Sequence, residues 1–322
     1  MSRVRCAAPE VFALLEDGSL ALSADPRTLE LLEGWLPRAP RRRETHGGAA
    51  WIHVDPGAEH PVVPEREPDL QLFGVRGWVL PAEERVVLAD VDGRIGARID
   101  LAARSAEVGM DPGPDPPDQR DVFATLTIAA ALLLGRLGRT LVHAAAVVDP
   151  GGSAWLLPAR SFGGKSTTCI TLIQAGWNYL SDDHVILTAG DGAVHAEGWP
   201  RPFNLDVGYA AGVSAGVRAR TDPGGLGPGR WQSSAPVAGL LFPRVEAELP
   251  TALSPLHPAG ALTLLLGEAP ALLADPATAP EALALLTRVA SRLPAYELRL
   301  GADCYCNSDR LQFTLREALC IV

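Results

Sequence analysis

S-A-W-L-L-P-A-R-S-F-G-G-K-S-T-T-C-I-T-L-I-Q-A-G-W-N-Y-L-S-D-D, from Ser153 to Asp183, is the stretch from which the rest of this chain can be read. Ala154 to Leu157 is an apolar run of the length of a buried strand. A short loop follows with Gly163 and Gly164, then Lys165, Ser166 and Thr167. Beyond Lys165, Ile170, Leu172 and Ile173 fall at helical spacing as far as Gln174, and Gly176 is a stop signal. Strand, glycine loop, helix is the setting in which G-K-[ST] carries chemistry. Backbone amides of such a loop point inward, and the helix that starts there adds positive potential. The expected phosphate cradle is Ser161, Phe162, Gly163, Gly164, Lys165, Ser166 and Thr167. Lys165 would reach the β- and γ-phosphates, and the Ser166 hydroxyl would ligate Mg²⁺. The pattern G-x-x-x-x-G-K-[ST] is broken at its first position, which is Ala159. Alanine fits there only at negative φ. Phe162 stands where a small residue is common.

Ser181-Asp182-Asp183 supplies the second half. Trp177 to Leu180 reads as a strand parallel to Ala154–Leu157 and next to it. Two carboxylates at its C-terminal end would lie where ligands bind in α/β sheets. Adjacent strand residues face opposite sides. One carboxylate can therefore serve Mg²⁺ while the other takes a proton from an attacking hydroxyl.

L-V-H-A-A-A-V-V, then the strand and loop, then G-W-N-Y-L-S-D-D-H-V-I-L, then W-P-R-P-F-N-L, in that order, resembles the HPr kinase/phosphorylase family. More closely, the chain resembles HPr-kinase-related proteins encoded with peptide-modifying enzymes, including kinases of lasso-peptide precursors. The resemblance spans Leu141 to Leu205. It extends loosely to the C-terminus through L-L-F-P-R-V and L-P-A-Y-E-L-R-L. It implies a P-loop kinase fold, ATP and Mg²⁺ as cofactors, and a hydroxyl acceptor on a peptide, protein or small molecule. It implies His143 as an active-site histidine, Lys165 and Ser166 as the P-loop pair, and Asp183 as general base, which leaves Asp182 for the metal. Homo-oligomers are common in the family. The acidic L-E-I-R-G-type signature has no counterpart here, so HPr and phosphorylase activity are not expected. With Ala159, its absence keeps open a second expectation, a nucleotide-binding regulatory or scaffolding protein that transfers nothing.

The expected fold class is α/β, with a smaller β-rich α+β domain over residues 1–115 and the kinase-like domain over 116–322. The divide is set at the prolines of Gly109 to Pro117. Among 322 residues, 47% are hydrophobic and 20% charged, which marks a globular chain. A net charge of −10 argues against a nucleic-acid partner. Asp118 to Leu137 reads as a helix whose apolar part is too short to span a membrane. The start of the chain lacks the apolar core of a signal peptide. The five cysteines hold no C-x-x-C, so they read as reduced thiols of a cytoplasmic protein, with Cys304 and Cys306 on one face of a strand.

Short strands are expected through the first domain, with hairpin turns at Asp17-Gly18 and Asp92-Gly93. Val142 to Val148 reads as one strand carrying His143. Arg201, fixed between Pro200 and Pro202, could clamp a phosphate. Asp222 to Arg230, D-P-G-G-L-G-P-G-R, reads as a loop that could bring Arg230 to the same phosphate. Strands are expected at Leu240–Val245, Ala261–Leu266 and Tyr296–Leu300, and helices at Pro280–Leu293 and Asp309–Ala318.

Overall fold

Alternating apolar residues in the first part of the chain build a sheet, and the turn signals set its hairpins. The elements are β1 (Glu10–Ala13), β2 (Leu20–Ala24), α1 (Pro26–Leu32), β3 (Ala50–Pro56), β4 (Leu70–Leu72), β5 (Val75–Leu80), β6 (Arg85–Asp90), β7 (Ile95–Asp100), β8 (Ser105–Met110) and α2 (Gln119–Gly135). This computed structural model describes residues 9–32, 35–36, 49–111, 117–190, 192–199, 203–206, 218–306 and 308–319. The eight strands lie in the order β1-β2-β3-β8-β7-β6-β5-β4. Pairing is parallel at β2–β3 and β3–β8 and antiparallel elsewhere. The hairpins at Asp17-Gly18 and Asp92-Gly93 are present. β8 was not anticipated, although Ala106 and Val108 alternate with exposed Glu107 in its sequence. Asp118 caps α2 by accepting from Arg120 N at 2.8 Å.

The chain divides into two units, Met1–Arg139 with Pro270–Ala282, and Thr140–Ala269 with Leu283–Val322. α2, expected with the second domain, falls in the first unit, where it packs on β3, β6 and β7. The prolines taken as the boundary include residues 112–116, which lie outside the described residues.

The second unit is built, from all or the greater part of each element, from β9 (Arg139–Val142), β10 (Ala144–Val148), β11 (Ala154–Pro158), α3 (Lys165–Gln174), β12 (Asn178–Ser181), β13 (Val185–Ala189), β14 (Val194–Gly198), β15 (Phe203–Asp206) and β16 (Arg218–Thr221). It continues with β17 (Ser234–Val245), β18 (Ala252–Pro255), α4 (Pro258–Gly267), α5 (Ala279–Arg292), β19 (Ala295–Leu300), α6 (Ala302–Cys306) and α7 (Ser308–Leu319). The main sheet runs β12-β10-β11-β17-β14-β13-β9, with β19 on β17 and β18 on β19. β15 and β16 form a separate hairpin. The molecule is thus a mixed α/β protein with two large sheets.

Four expectations are corrected. Val142–Val148 is two strands, because the chain breaks at His143 and sends β9 and β10 to different places in the sheet. Ala261–Leu266 is helical, within α4; its run of leucines has no period to read, but Pro258 in the first turn and the His257 side chain accepting from Ala259 N at 3.2 Å are helix-start signals. Cys304 and Cys306 lie on α6 rather than on a strand. Finally, β12 is not beside β11. β10 turns back through Asp149–Gly152 and pairs antiparallel with β11, then with β12 on its other side. β17 takes the remaining side of β11 in parallel.

That last arrangement positions the site. β11 and β12 are each antiparallel to β10, so they run the same way. Their C-terminal ends and the start of β10 therefore meet at one edge of the sheet. α3 covers the same strands, burying Cys169, Ile170, Leu172 and Ile173 against Ala145, Val147, Leu157 and Leu241.

Candidate active site

Three chain segments reach that edge: His143 before β10, residues 159–164 after β11, and Ser181 at the end of β12 with Asp182 and Asp183 after it. The loop turns sharply at its end. Gly164 has φ 97° and precedes the first turn of α3; a Cβ there would stand 2.5 Å from Leu300 Cδ1, so both conformation and space require glycine. Phe162 also has positive φ, 68°, although it is a bulky residue and 78% exposed. Ala159 is not among the residues with positive φ, the condition under which alanine fits its position.

Lys165, the first residue of α3, is buried, with 7% of its surface exposed. Its ammonium folds back over the loop. It donates to Ala159 O and, at 3.3 Å, to Arg160 O, and stands 3.2 Å from His143 Nε2. Burial pulls its pKa below the ordinary lysine value, against the opposing pull of Asp183, Glu268 and Asp182.

The turn after β12 is organised by the Ser181 hydroxyl. It donates to Trp199 O at 2.8 Å and accepts from the amides of Asp183 and His184 at 3.4 and 3.3 Å. The two carboxylates then part. Asp182 is buried and its Oδ2 accepts from Ser166 Oγ at 3.3 Å. Asp183 is more open; its Oδ1 lies 3.1 Å from His143 Nε2 and its Oδ2 lies 3.0 Å from His184 Nδ1.

His143 has a second carboxylate. Its Nδ1 is 2.7 Å from Glu268 Oε2, and its backbone amide donates to Glu268 O at 2.8 Å. Burial works to lower the pKa of His143, but the hydrogen bonds it donates to Asp183 and Glu268 prevail and hold it above the ordinary histidine value. The arrangement offers oxygen ligands for a hard cation at Ser166 and Asp182. It also offers backbone amides and a lysine for an anion, and a carboxylate within reach of two imidazoles for proton transfer.

The structure brings together His143, Lys165, Ser166, Asp182 and Asp183 of the residues singled out from sequence, with the loop Ser161–Gly164 beside them. Arg230 lies elsewhere in its contacts: its Nη1 donates to the carbonyls of Gly227, Pro228 and Gly229, closing its own loop. Arg201 lies outside the described residues. Sequence reasoning missed Glu268 and His184. His184 directly follows the Asp pair, a signal that was available. Glu268 is 125 residues from its partner and closes a helix that had been read as a strand.

No protein-family profile matches the chain, and no curated protein matches it. Among solved structures, the Hpr(Ser) kinase/phosphatase from Coxiella burnetii is similar to it, with 11% identity, a TM-score of 0.31, and coverage of 56% of this chain and 98% of that one. A likeness that low carries no argument about function. No described helix is long and apolar enough to cross a membrane.

Proposed function

We propose that the chain is an ATP- and Mg²⁺-dependent kinase that moves the γ-phosphate of ATP onto a hydroxyl, that of a peptide or protein serine or threonine in the first instance. The observation that supports it is the meeting of three functions at one sheet edge: a glycine loop with Lys165, the Ser166–Asp182 oxygen pair, and Asp183 between two imidazoles. The residues present fit a magnesium ion, because a hydroxyl and a buried carboxylate 3.3 Å apart are the hard oxygen donors it takes. Bound there, Mg²⁺ would neutralise charge on the β- and γ-phosphate oxygens.

The chain's own residues would do the rest. Backbone amides of the loop and the first turn of α3 would hold the phosphates. Lys165 would exchange its carbonyl partners, Ala159 O and Arg160 O, for phosphate oxygens. Asp183 would accept the proton of the acceptor hydroxyl as the new P–O bond forms and the β–γ bridge breaks, with ADP leaving. Both Asp183 oxygens face imidazoles in the resting arrangement, at 3.1 and 3.0 Å, so substrate must compete for one of them. That same observation favours a second reading, a protein that binds nucleotide as a regulatory signal without transfer.

Paired substitutions test the assignment. Asp183→Asn removes the proton acceptor and is expected to lower transfer by ~10²–10⁴ while leaving Mg²⁺-dependent ATP binding in place. Asp182→Asn is expected to raise the Mg²⁺ concentration needed for ATP binding. Normal transfer by both variants would defeat the kinase reading. ATP binding by the wild type with no turnover on any hydroxyl acceptor, peptide, protein or small molecule, would select the second one.

A further inference from the structure

We propose that Glu268 is the positioning residue of this site, anchoring Nδ1–H of His143 so that Nε2–H is aimed at Asp183 Oδ1. The anchorage is double. The backbone bond from His143 N to Glu268 O, 2.8 Å, fixes where the residue sits. The side-chain bond, Nδ1 to Oε2 at 2.7 Å, fixes how the ring is turned. A half-turn of the imidazole would put a C–H against the carboxylate and withdraw Nε2 from Asp183, so only one ring orientation satisfies both partners.

Glu268 is itself held firmly. Its amide donates to Leu265 O at the end of α4, and its side chain is 10% exposed. A buried carboxylate without a partner is costly, so the pair is self-maintaining. The groups facing His143 are Asp183, Glu268 and Lys165, with the His184 ring at 5.8 Å. The Lys165 ammonium, 3.2 Å from Nε2, opposes a charged imidazole. One carboxylate against that lysine is a weaker hold than two. Without Glu268 the ring would lose its proton more readily, and Asp183 would keep His184 at Oδ2 but lose the fixed aim of Nε2–H at Oδ1.

The effect on transfer rests on the kinase reading; the anchoring of the ring does not. The test therefore uses two measurements on the full chain. The first is ¹⁵N NMR of the histidine side chains without nucleotide, with His143→Gln identifying the His143 signals. In the wild type, Nδ1 is expected to stay protonated and the His143 midpoint to lie above that of free histidine. Glu268→Gln keeps an acceptor but loses the charge, so the midpoint falls while Nδ1 stays protonated. Glu268→Leu loses both, and the Nδ1 signature goes as well. The second is transfer beside ATP affinity. Transfer is expected to drop by about 10–100-fold in Glu268→Leu, taking as a guide the range seen when the outer partner of a metal-ligating histidine is removed, with Glu268→Gln between the two and ATP affinity unchanged. A His143 signature unchanged in Glu268→Gln would overturn the proposal, as would full transfer in a Glu268→Leu protein whose signature has changed. A signature that changes in both Glu268 variants, beside a wild type that transfers nothing, would leave the anchoring supported and remove only the kinase reading.

Discussion

In the first unit, Arg136 donates Nε and Nη2 to Asp275 at 2.6 and 3.1 Å and Nη1 to Glu84 at 2.9 Å. Asp275 in turn accepts from Ala277 N at 3.1 Å and from Thr278 Oγ1 at 3.2 Å. In the second unit, Lys165 and two imidazoles meet Asp182, Asp183 and Glu268. Both are charged clusters in buried surroundings, yet they differ in completeness. The hydrogen bond that Arg136 donates to Asp275 raises its basicity, because each charge there answers another. Lys165 is pushed the other way by burial, and its ammonium rests on neutral carbonyls. Three carboxylates outnumber the two cations, Lys165 and a doubly protonated His143, so an excess of negative charge remains. A buried cluster that closes on itself is structure. One left with an excess of charge, a desolvated lysine and a loop of amides is what the proposed nucleotide site would need.

The first cluster should therefore fail in stability and the second in activity. The largest loss of stability is expected from Asp275→Ala. It leaves the Arg136 guanidinium with the exposed Glu84 as its carboxylate partner and removes the acceptor of the following turn, for about 1.5–3 kcal/mol. Denaturant unfolding would show it, while ATP affinity of the folded fraction stays at the wild-type level. A loss under about 1 kcal/mol would mean that this pair behaves like a surface ion pair and that the contrast is false.

Lys165→Ala should do the reverse. Removing a lysine whose charged form is disfavoured by burial should leave stability level or raise it. Transfer should fall by ~10²–10³, the effect of deleting one charge-stabilising contact in an active site. Unfolding and single-turnover transfer on the same preparation separate the two quantities. Wild-type turnover in Lys165→Ala would show that the loop does not bind the reacting phosphates.

The two clusters were not equally legible. The second is nearly all local: Lys165, Ser166, Asp182 and Asp183 lie in one stretch, and its strand–loop–helix order sets their place before any tertiary contact is known. Arg136 and Asp275 are 139 residues apart, and nothing in the spacing joins them. The same limit hid Glu268. It also misplaced β12, because a hairpin partner beside β11 is decided by which strand folds back first along the chain, and not by the apolar run itself. Helices with a clear period, α5 and α7, were readable, and α2 was readable from the length of its apolar run; α4 was not, because its apolar run is short and has no period. His143 was found only through resemblance, and the break in the strand that places it has no sequence marker.

The smallest effects come from inside the loop, where one kind of substitution should have opposite signs at two positions. Ala159→Gly adds freedom to the unfolded chain at a residue that already has an ordinary φ, and should destabilise by roughly 0.4–1 kcal/mol. Phe162→Gly adds similar freedom, but it also removes the strain of a bulky side chain at φ 68°, about 1–2 kcal/mol for an L-residue in the left-handed region. Phe162 is 78% exposed, so little apolar burial is lost with its ring. The net change should be from zero to about 1.6 kcal/mol of stabilisation. Paired denaturant titrations of the two variants decide the matter. If Phe162→Gly destabilises more than Ala159→Gly does, the phenylalanine ring is contributing packing that outweighs its backbone strain, and the loop is held by its side chains as well as by Gly164.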